Sequence, residues 1–204
     1  MSLWLLLPAA CAVLRLTTGR YVFSALTSLC CAAVIAGAGM DGGGGLVIAG
    51  LLISVAGDWL LAHPKRVGNA FLLGVACFAV GHVLFAIYAA RRFRFSPWAA
   101  ALVALLAAGY AVYLRRSVLP GQPAAMRVAL PGYALVSLCG LFFALSMGAP
   151  GPERALYTLG IACILFSDTM IAEAEFALHP WARPWILPTY YLCHILIAAS
   201  RLIR

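Results

Sequence analysis

The sequence predicts an all-α integral membrane protein with about eight transmembrane helices. Three observations support this: 65% of the 204 residues are apolar, only 10% are charged, and loop-forming residues divide the chain into apolar segments of similar length. A soluble domain carries about 25% charged residues, and a helix needs about 20 apolar residues to cross the hydrocarbon core of a bilayer. We therefore expect residues 1–204 to form a single transmembrane domain.

The apolar segments have about the length of membrane spans. Each ends where glycine, proline or basic residues interrupt the pattern, as in DGGGG after the second segment and RRFRFSP after the fourth. The first segment lacks the basic start of a secretory signal, so we expect it to remain as a span. The predicted spans are 3–18, 21–39, 46–62, 68–90, 97–114, 127–147, 154–176 and 185–203.

The charged residues flank the predicted spans. The net charge is +8, but the basic residues are spread over short loops and form no single patch. This distribution is typical of a multi-pass membrane protein and argues against a nucleic-acid partner. We expect membrane lipids as neighbours and a bacterial inner membrane or another plasma membrane as the location.

Two aspartates lie inside apolar segments, and each is followed by a histidine in a similar sequence context. Asp58 precedes His82 by 24 residues, and Asp168 precedes His194 by 26. Spans three and four then correspond to spans seven and eight, which predicts two parallel four-helix repeats, 1–115 and 116–204. Because ionised groups at membrane depth are costly, both aspartates are candidate functional residues.

One face of span four suits an acyl-like chain. Phe71, Gly74, Phe78 and His82 follow helical spacings of three, four and four residues, so two aromatic rings and an imidazole share that face. Ordinary helix packing also explains the two phenylalanines. An imidazole inside a membrane needs a polar partner, however, and the two aspartates are the available carboxylates.

Five short motifs occur in order between residue 46 and the C terminus: Gly57 with Asp58, the run F-x-x-G-x-x-x-F-x-x-x-H from Phe71 to His82, Pro131 with Tyr133, Ser167 with Asp168, and Thr189 with Tyr190 and Tyr191. This ordered set resembles the lysoplasmalogenase family of polytopic membrane proteins, also called YhhN-like. No single motif is diagnostic, whereas their spacing across spans is preserved. Family members often carry glutamine where this chain has His194, which is a departure from the pattern.

The resemblance implies hydrolysis of the vinyl ether bond of a lysoplasmalogen, a lysophospholipid substrate, to a fatty aldehyde and a glycerophospho-headgroup. It implies no metal and no organic cofactor, and it points to Asp58 and Asp168 as catalytic residues. Vinyl ether cleavage begins with proton transfer to an alkene carbon and passes through an oxocarbenium ion, as glycoside hydrolysis does. Because burial disfavours the charged form of a carboxyl group, the more deeply placed Asp168 is the better candidate acid. Asp58 is then the base that activates water, although the two roles can be reversed.

The remaining candidate residues would support these two carboxyl groups. We expect His82 to orient an aspartate or relay a proton as a third catalytic residue. Candidate substrate-binding residues are of three kinds: aromatic side chains for the chain and the glycerol hydroxyl, basic side chains for the phosphate, and one histidine. They are Phe71, Phe78, Tyr190, Tyr191, Lys65, Arg66, Arg183 and His194.

Two other functions remain open at this point. Parallel repeats with buried carboxylate and histidine pairs also occur in small proton-coupled secondary transporters. A zinc-dependent membrane lipid hydrolase is a weaker alternative. Its ligands would be Asp58, His82, Asp168 and His194, but no two of them have the i, i+4 spacing that such sites often use. The sequence leaves the oligomeric state open.

Overall fold

The computed structural model describes residues 3–63 and 65–203, and within these ranges it contains eight α-helices and no β-strand. All eight predicted helices are present, with ends within three residues of those expected. They are α1 (Leu6–Thr18), α2 (Tyr21–Gly37), α3 (Gly44–Ala62), α4 (Ala70–Ala90), α5 (Pro97–Tyr113), α6 (Ala124–Leu145), α7 (Gly151–Glu175) and α8 (Arg183–Arg201).

Proline and glycine set several of the helix boundaries. Pro97 and Pro152 lie in the first turns of α5 and α7, where the missing backbone N–H leaves no helical hydrogen bond unmade. Gly19 ends α1 with a φ of 70°, a left-handed conformation that favours glycine. A single π-helical turn, Leu114–Val118, extends α5.

Five of the described helical segments are long and apolar enough to cross a membrane, so the protein is a multi-pass membrane protein. They are Asp41–Ala62, Ala70–Ala90, Pro97–Val118, Ala124–Leu145 and Gly151–Glu175. The first two helices are apolar but shorter, and α8 has 19 residues but is more polar. A crossing by all eight helices, the two parallel repeats and the bacterial location stay predictions.

The helices form one bundle around a shared apolar core. The α3–α4 and α7–α8 pairs pack most extensively, α2 packs against α3 and α8, and α6 packs against α4 and α7. Helix α5 lies at the periphery against α6, and Ala99 is its one buried residue. The polar side chains of α2, α3, α4, α7 and α8 are thereby directed toward a common interior.

Glycines allow α3 and α4 to approach closely. A Cβ atom at Gly50 would lie 2.5 Å from Phe85, one at Gly57 3.0 Å from Phe78, and one at Gly74 2.9 Å from Leu61. Small residues at such positions are the usual means of close helix packing in membranes. This packing fixes Phe78 near the middle of the bundle.

A buried polar network joins the ends of α4, α7 and α8. Arg92 donates to both carboxylate oxygens of Glu153 and to the Tyr88 hydroxyl, and Arg201 donates to Tyr88 at 2.9 Å and to the Gly39 carbonyl at 3.1 Å. Arg201 and Glu153 are 2% and 1% exposed. From the sequence both arginines were expected to lie in loops or at span ends, whereas the structure places Arg201 inside the protein.

The α3–α4 contact generates a stability prediction. We expect Gly50→Ala to destabilise the protein by about 1–3 kcal/mol, because its methyl group would overlap the buried Phe85 ring. Gly109→Ala is the matched control, because no atom lies within 4 Å of a Cβ at this exposed position of α5. That control should be neutral or stabilising, since alanine is the better helix former. The measurement is the midpoint of thermal unfolding in detergent, followed by circular dichroism. If both variants shifted this midpoint in the same direction, the predicted overlap at Gly50 would be wrong.

Candidate active site

A narrow cavity of about 60 Å³ opens among α4, α6 and α7, close to the loops that follow α3 and α7. Its wall is largely apolar and includes Phe71 and Phe78 of α4, Leu61 of α3 and Phe176 after α7. Asp168 is the one carboxylate among the described lining residues. The helical face predicted from the sequence thus contributes both of its phenylalanines to this cavity.

Asp168 and His82 form a close pair at the cavity. The Oδ2 atom of Asp168 lies 3.6 Å from Nε2 of His82, and the two side chains are 12% and 4% exposed. Neither of these two atoms has a hydrogen-bond partner among the described residues. A buried carboxylate oxygen and imidazole nitrogen that lack hydrogen bonds are uncommon, and a water molecule or a substrate could provide them.

Helix α6 holds the other side of the imidazole. The Nδ1 atom of His82 is 3.1 Å from the Ser137 hydroxyl, and the ring of Tyr133 lies 5.2 Å from the imidazole ring. Because a hydroxyl can donate or accept, Ser137 can fix either tautomer of His82. Tyr133, Ser137 and Asp168 all line the cavity, and His82 lies directly behind them.

Asp58 belongs to a second polar cluster, formed by α2, α3 and α8. Its Oδ2 atom accepts hydrogen bonds from Ser24 at 2.7 Å and from Tyr190 at 3.2 Å, and Tyr191 donates to Ser24 at 2.9 Å. Ser24 and both tyrosines are buried. The pairing of Asp58 with Tyr190 joins two residues that are 132 positions apart in the chain.

His194 extends the second cluster toward the bundle centre. Its Nδ1 atom lies 3.0 Å from the Ser28 hydroxyl, and its ring centre is 4.4 Å from that of Tyr190. His194 is fully buried, and its Nε2 atom has no hydrogen-bond partner among the described residues. The repeated sequence pattern therefore does not produce two equivalent pairs, since His82 faces Asp168 and His194 contacts the Asp58 cluster.

The two clusters meet at one aromatic contact. The ring of Phe78, in the cavity wall, packs edge-on against Tyr190 with ring centres 5.8 Å apart. Asp58, Tyr190, Tyr191 and His194 are not lining residues of the cavity itself. The structure therefore brings Asp168, His82 and the two phenylalanines together, and places the other polar candidates behind Tyr190.

The basic candidates lie at the same end of the bundle. Lys65 and Arg66 are exposed in the loop after α3, and exposed Arg183 lies 3.7 Å from Glu175. In the loop after α7, His179 pairs with Glu173 at 2.6 Å. Exposed charged groups, some of them ion-paired, thus lie around this end of the bundle.

Sequence reasoning missed the serines that hold the polar groups. Ser24, Ser28 and Ser137 are buried and contact Asp58, His194 and His82 respectively. The one available signal was the four-residue spacing of Ser24 and Ser28, which places both hydroxyls on one face of α2. Within residues 3–63 and 65–203, no three His, Cys, Asp or Glu side chains are grouped closely enough to hold a metal ion.

Comparisons with known proteins show what the chain is similar to. The sequence is 34% identical over 166 residues to Lysoplasmalogenase TMEM86B of Sus scrofa, a match that covers 79% of this chain and 66% of that protein. The matched region thus spans slightly less than two thirds of the relative's length. No solved structure matches this chain.

The match to a protein family covers most of the chain. The model of the YhhN family matches residues 19–201, which include all the candidate site residues. The resemblance indicated by the ordered motifs is therefore confirmed, and the chain belongs to the YhhN family.

Proposed function

We propose that this protein is a membrane-embedded hydrolase that cleaves the vinyl ether bond of a lysoplasmalogen. Family membership and the name of the pig relative support this proposal. The observation that carries it is the Asp168–His82 pair, which lies at a narrow cavity with a largely apolar wall. We assign the apolar wall to the chain and the entrance to the glycerophospho-headgroup, near Lys65, Arg66 and Arg183.

The proposed reaction adds one water molecule across the substrate. Asp168 transfers a proton to the alkene carbon that is not bonded to oxygen, and an oxocarbenium ion forms at the other alkene carbon. Water attacks that carbon to give a hemiacetal, which collapses to a fatty aldehyde and the free glycerol hydroxyl. Asp168 takes the acid role because it is the carboxyl group in the cavity wall.

His82 positions the Asp168 carboxyl group and returns its proton in this proposal. Its Nε2 atom, 3.6 Å from the carboxyl group, is close enough to orient it and to return a proton after each turnover. Ser137 holds the imidazole from the opposite side. The aspartate that remains after proton transfer lies beside the oxocarbenium ion and stabilises its positive charge, as carboxylates do in glycoside hydrolysis.

The base role stays with Asp58, acting through Tyr190. The Tyr190 hydroxyl donates to Asp58, and its ring contacts Phe78 of the cavity wall. The relay requires a water molecule to pass Phe78 and reach the Tyr190 hydroxyl. That water gives its proton to Tyr190, as Tyr190 gives its own to Asp58, and becomes the attacking nucleophile. Ser24 keeps the carboxylate of Asp58 in place for this transfer.

Substrate selectivity tests the reaction class. The purified protein should release aldehyde from a lysoplasmalogen and leave the ester-linked lysophospholipid of the same headgroup and chain length intact, because an ester offers no alkene carbon to protonate. Mass spectrometry of both reaction mixtures provides the measurement. Cleavage of both lipids would indicate an esterase, whereas proton-coupled uptake by vesicles without product would favour the transporter.

The acid step predicts both a loss of activity and an isotopic signature. Asp168→Asn should lower the rate of aldehyde release by about 10²–10⁴-fold, the usual contribution of a general acid. In D₂O the wild-type aldehyde should carry one deuterium on the carbon next to the carbonyl group, after correction for exchange measured with authentic aldehyde. Glu175→Gln removes an exposed carboxylate at the same end of α7 and should keep kcat, although the loss of its contact with Arg183 can change KM. An Asp168→Asn protein with normal turnover would remove this residue from the mechanism.

The proposed base relay predicts coupled effects of two substitutions. Asp58→Asn and Tyr190→Phe should each lower kcat more than they raise KM, and the double variant should lose little more than the stronger single variant, because the two groups act in sequence. Kinetics of the four proteins in one detergent provide the measurement. Independent, multiplicative losses would show that Asp58 and Tyr190 do not act together.

A further inference from the structure

We infer that the membrane face opposite the Asp168 cavity carries a phosphate-binding site, formed by Arg94, Arg154, the Ser146 hydroxyl and the N-termini of α5 and α7. These groups line a second cavity of about 410 Å³ between the loops 91–96 and 146–150. Helix α4 runs from the Asp168 end of the bundle to the first of these loops. The two cavities are therefore at opposite ends of the protein.

Backbone hydrogen bonds hold the two loops together. The Arg94 amide donates to the Ser146 carbonyl at 2.8 Å, and the Gly148 amide donates to the Arg92 carbonyl at 2.6 Å. These bonds occupy carbonyl groups at the ends of α4 and α6 that would otherwise repel an anion. The stem of the Arg94 side chain lies against Gly148, where an added Cβ would be 2.9 Å from it. The loop geometry thus directs this side chain along the cavity wall.

The cavity is positively charged. Arg94 and Arg154 are exposed, and neither guanidinium forms an ion pair with a described residue. None of the described lining residues is acidic. The nearby Glu153 is turned into the bundle, where Arg92 binds its carboxylate. Two free guanidinium groups with planar donor sets match the oxygens of a phosphate group.

Two helix N-termini meet at this cavity. Helix α5 has 17 residues and follows Ser96, and α7 has 25 residues and follows Pro150; neither has a side-chain capping hydrogen bond. Ser96 and Pro150 both line the cavity. Pro97 and Pro152 remove one first-turn donor from each helix, and the remaining first-turn N–H groups carry the partial positive charge that commonly binds anions.

Ser146 provides an independent indication of a ligand. The residue is only 2% exposed and lines the cavity, yet its hydroxyl has no hydrogen-bond partner among the described residues. The hydroxyl of Ser96 is also buried and without a partner in the described part of the chain. Buried hydroxyl groups are nearly always paired. A phosphate oxygen in the cavity would accept a hydrogen bond from each.

The surroundings of the cavity place it at lipid headgroup level. Phe95 and Trp98 line it and are 67% and 59% exposed. Exposed aromatic side chains of this kind gather at the boundary between hydrocarbon and water. The phosphate can therefore belong to an anionic lipid, with its acyl chains beside Trp98, or be inorganic phosphate from solution.

Binding measurements on the purified full-length protein test this inference. Wild-type protein in neutral detergent is titrated with short-chain phosphatidic acid, with phosphatidylcholine of the same chain length, and with inorganic phosphate. We expect the Arg94→Gln/Arg154→Gln variant to bind phosphatidic acid at least about tenfold more weakly, because charge-assisted hydrogen bonds are lost. Ser146→Ala should weaken binding by a smaller factor. The charge-matched control is Arg115→Gln/Arg116→Gln, which removes two exposed arginines at the other end of α5 and should bind as wild type does.

The titrations distinguish a lipid phosphate, free inorganic phosphate and the absence of a site. Selective binding of phosphatidic acid that inorganic phosphate does not displace identifies a lipid headgroup, and displacement by inorganic phosphate identifies a site for the free anion. Equal binding by wild type and Arg94→Gln/Arg154→Gln, or equal losses in the two double variants, would overturn the inference. Thermal unfolding midpoints of all variants, compared in the same detergent, exclude misfolding as the cause of a loss.

Discussion

Polar side chains inside this bundle depend on other parts of the protein for their partners, because lipid provides none. The chain meets this constraint with two buried networks at different positions. Near one end, Arg92, Glu153, Tyr88 and Arg201 connect the ends of three helices. Toward the other end, Asp58 is held by hydroxyl groups from α2 and α8. The same contacts that satisfy these groups fix how the helices are arranged.

Some buried polar atoms of the described residues have no hydrogen-bond partner. Asp168 Oδ2 and the Nε2 atoms of His82 and His194 have no hydrogen-bond partner in the described part of the chain. At the opposite end, Ser96 and Ser146 have unpaired buried hydroxyls beside a basic cavity. Because an unpaired buried polar group destabilises a protein by about 1–3 kcal/mol, such groups are concentrated where a protein binds something else.

The two ends of the bundle differ in chemistry. The cavity of Asp168 has a largely apolar wall and one carboxylate among its described lining residues. The cavity near Arg94 and Arg154 has no acidic lining residue among those described, which suits an anionic group. The two cavities have no described lining residue in common.

Local pattern was sufficient to place the eight helices, since apolar length and loop-forming residues depend only on neighbouring sequence. It also singled out Asp58, Asp168 and His82 as candidates, because a polar residue in an apolar segment is visible without a structure. The partner of each was decided by the packing of distant helices: Asp168 meets His82, and Asp58 meets Ser24 and Tyr190. The burial of Arg201 was decided in the same way. These partners are 34 to 132 residues apart in the chain, so their distances are set only when the bundle forms, and no periodicity along the chain encodes them.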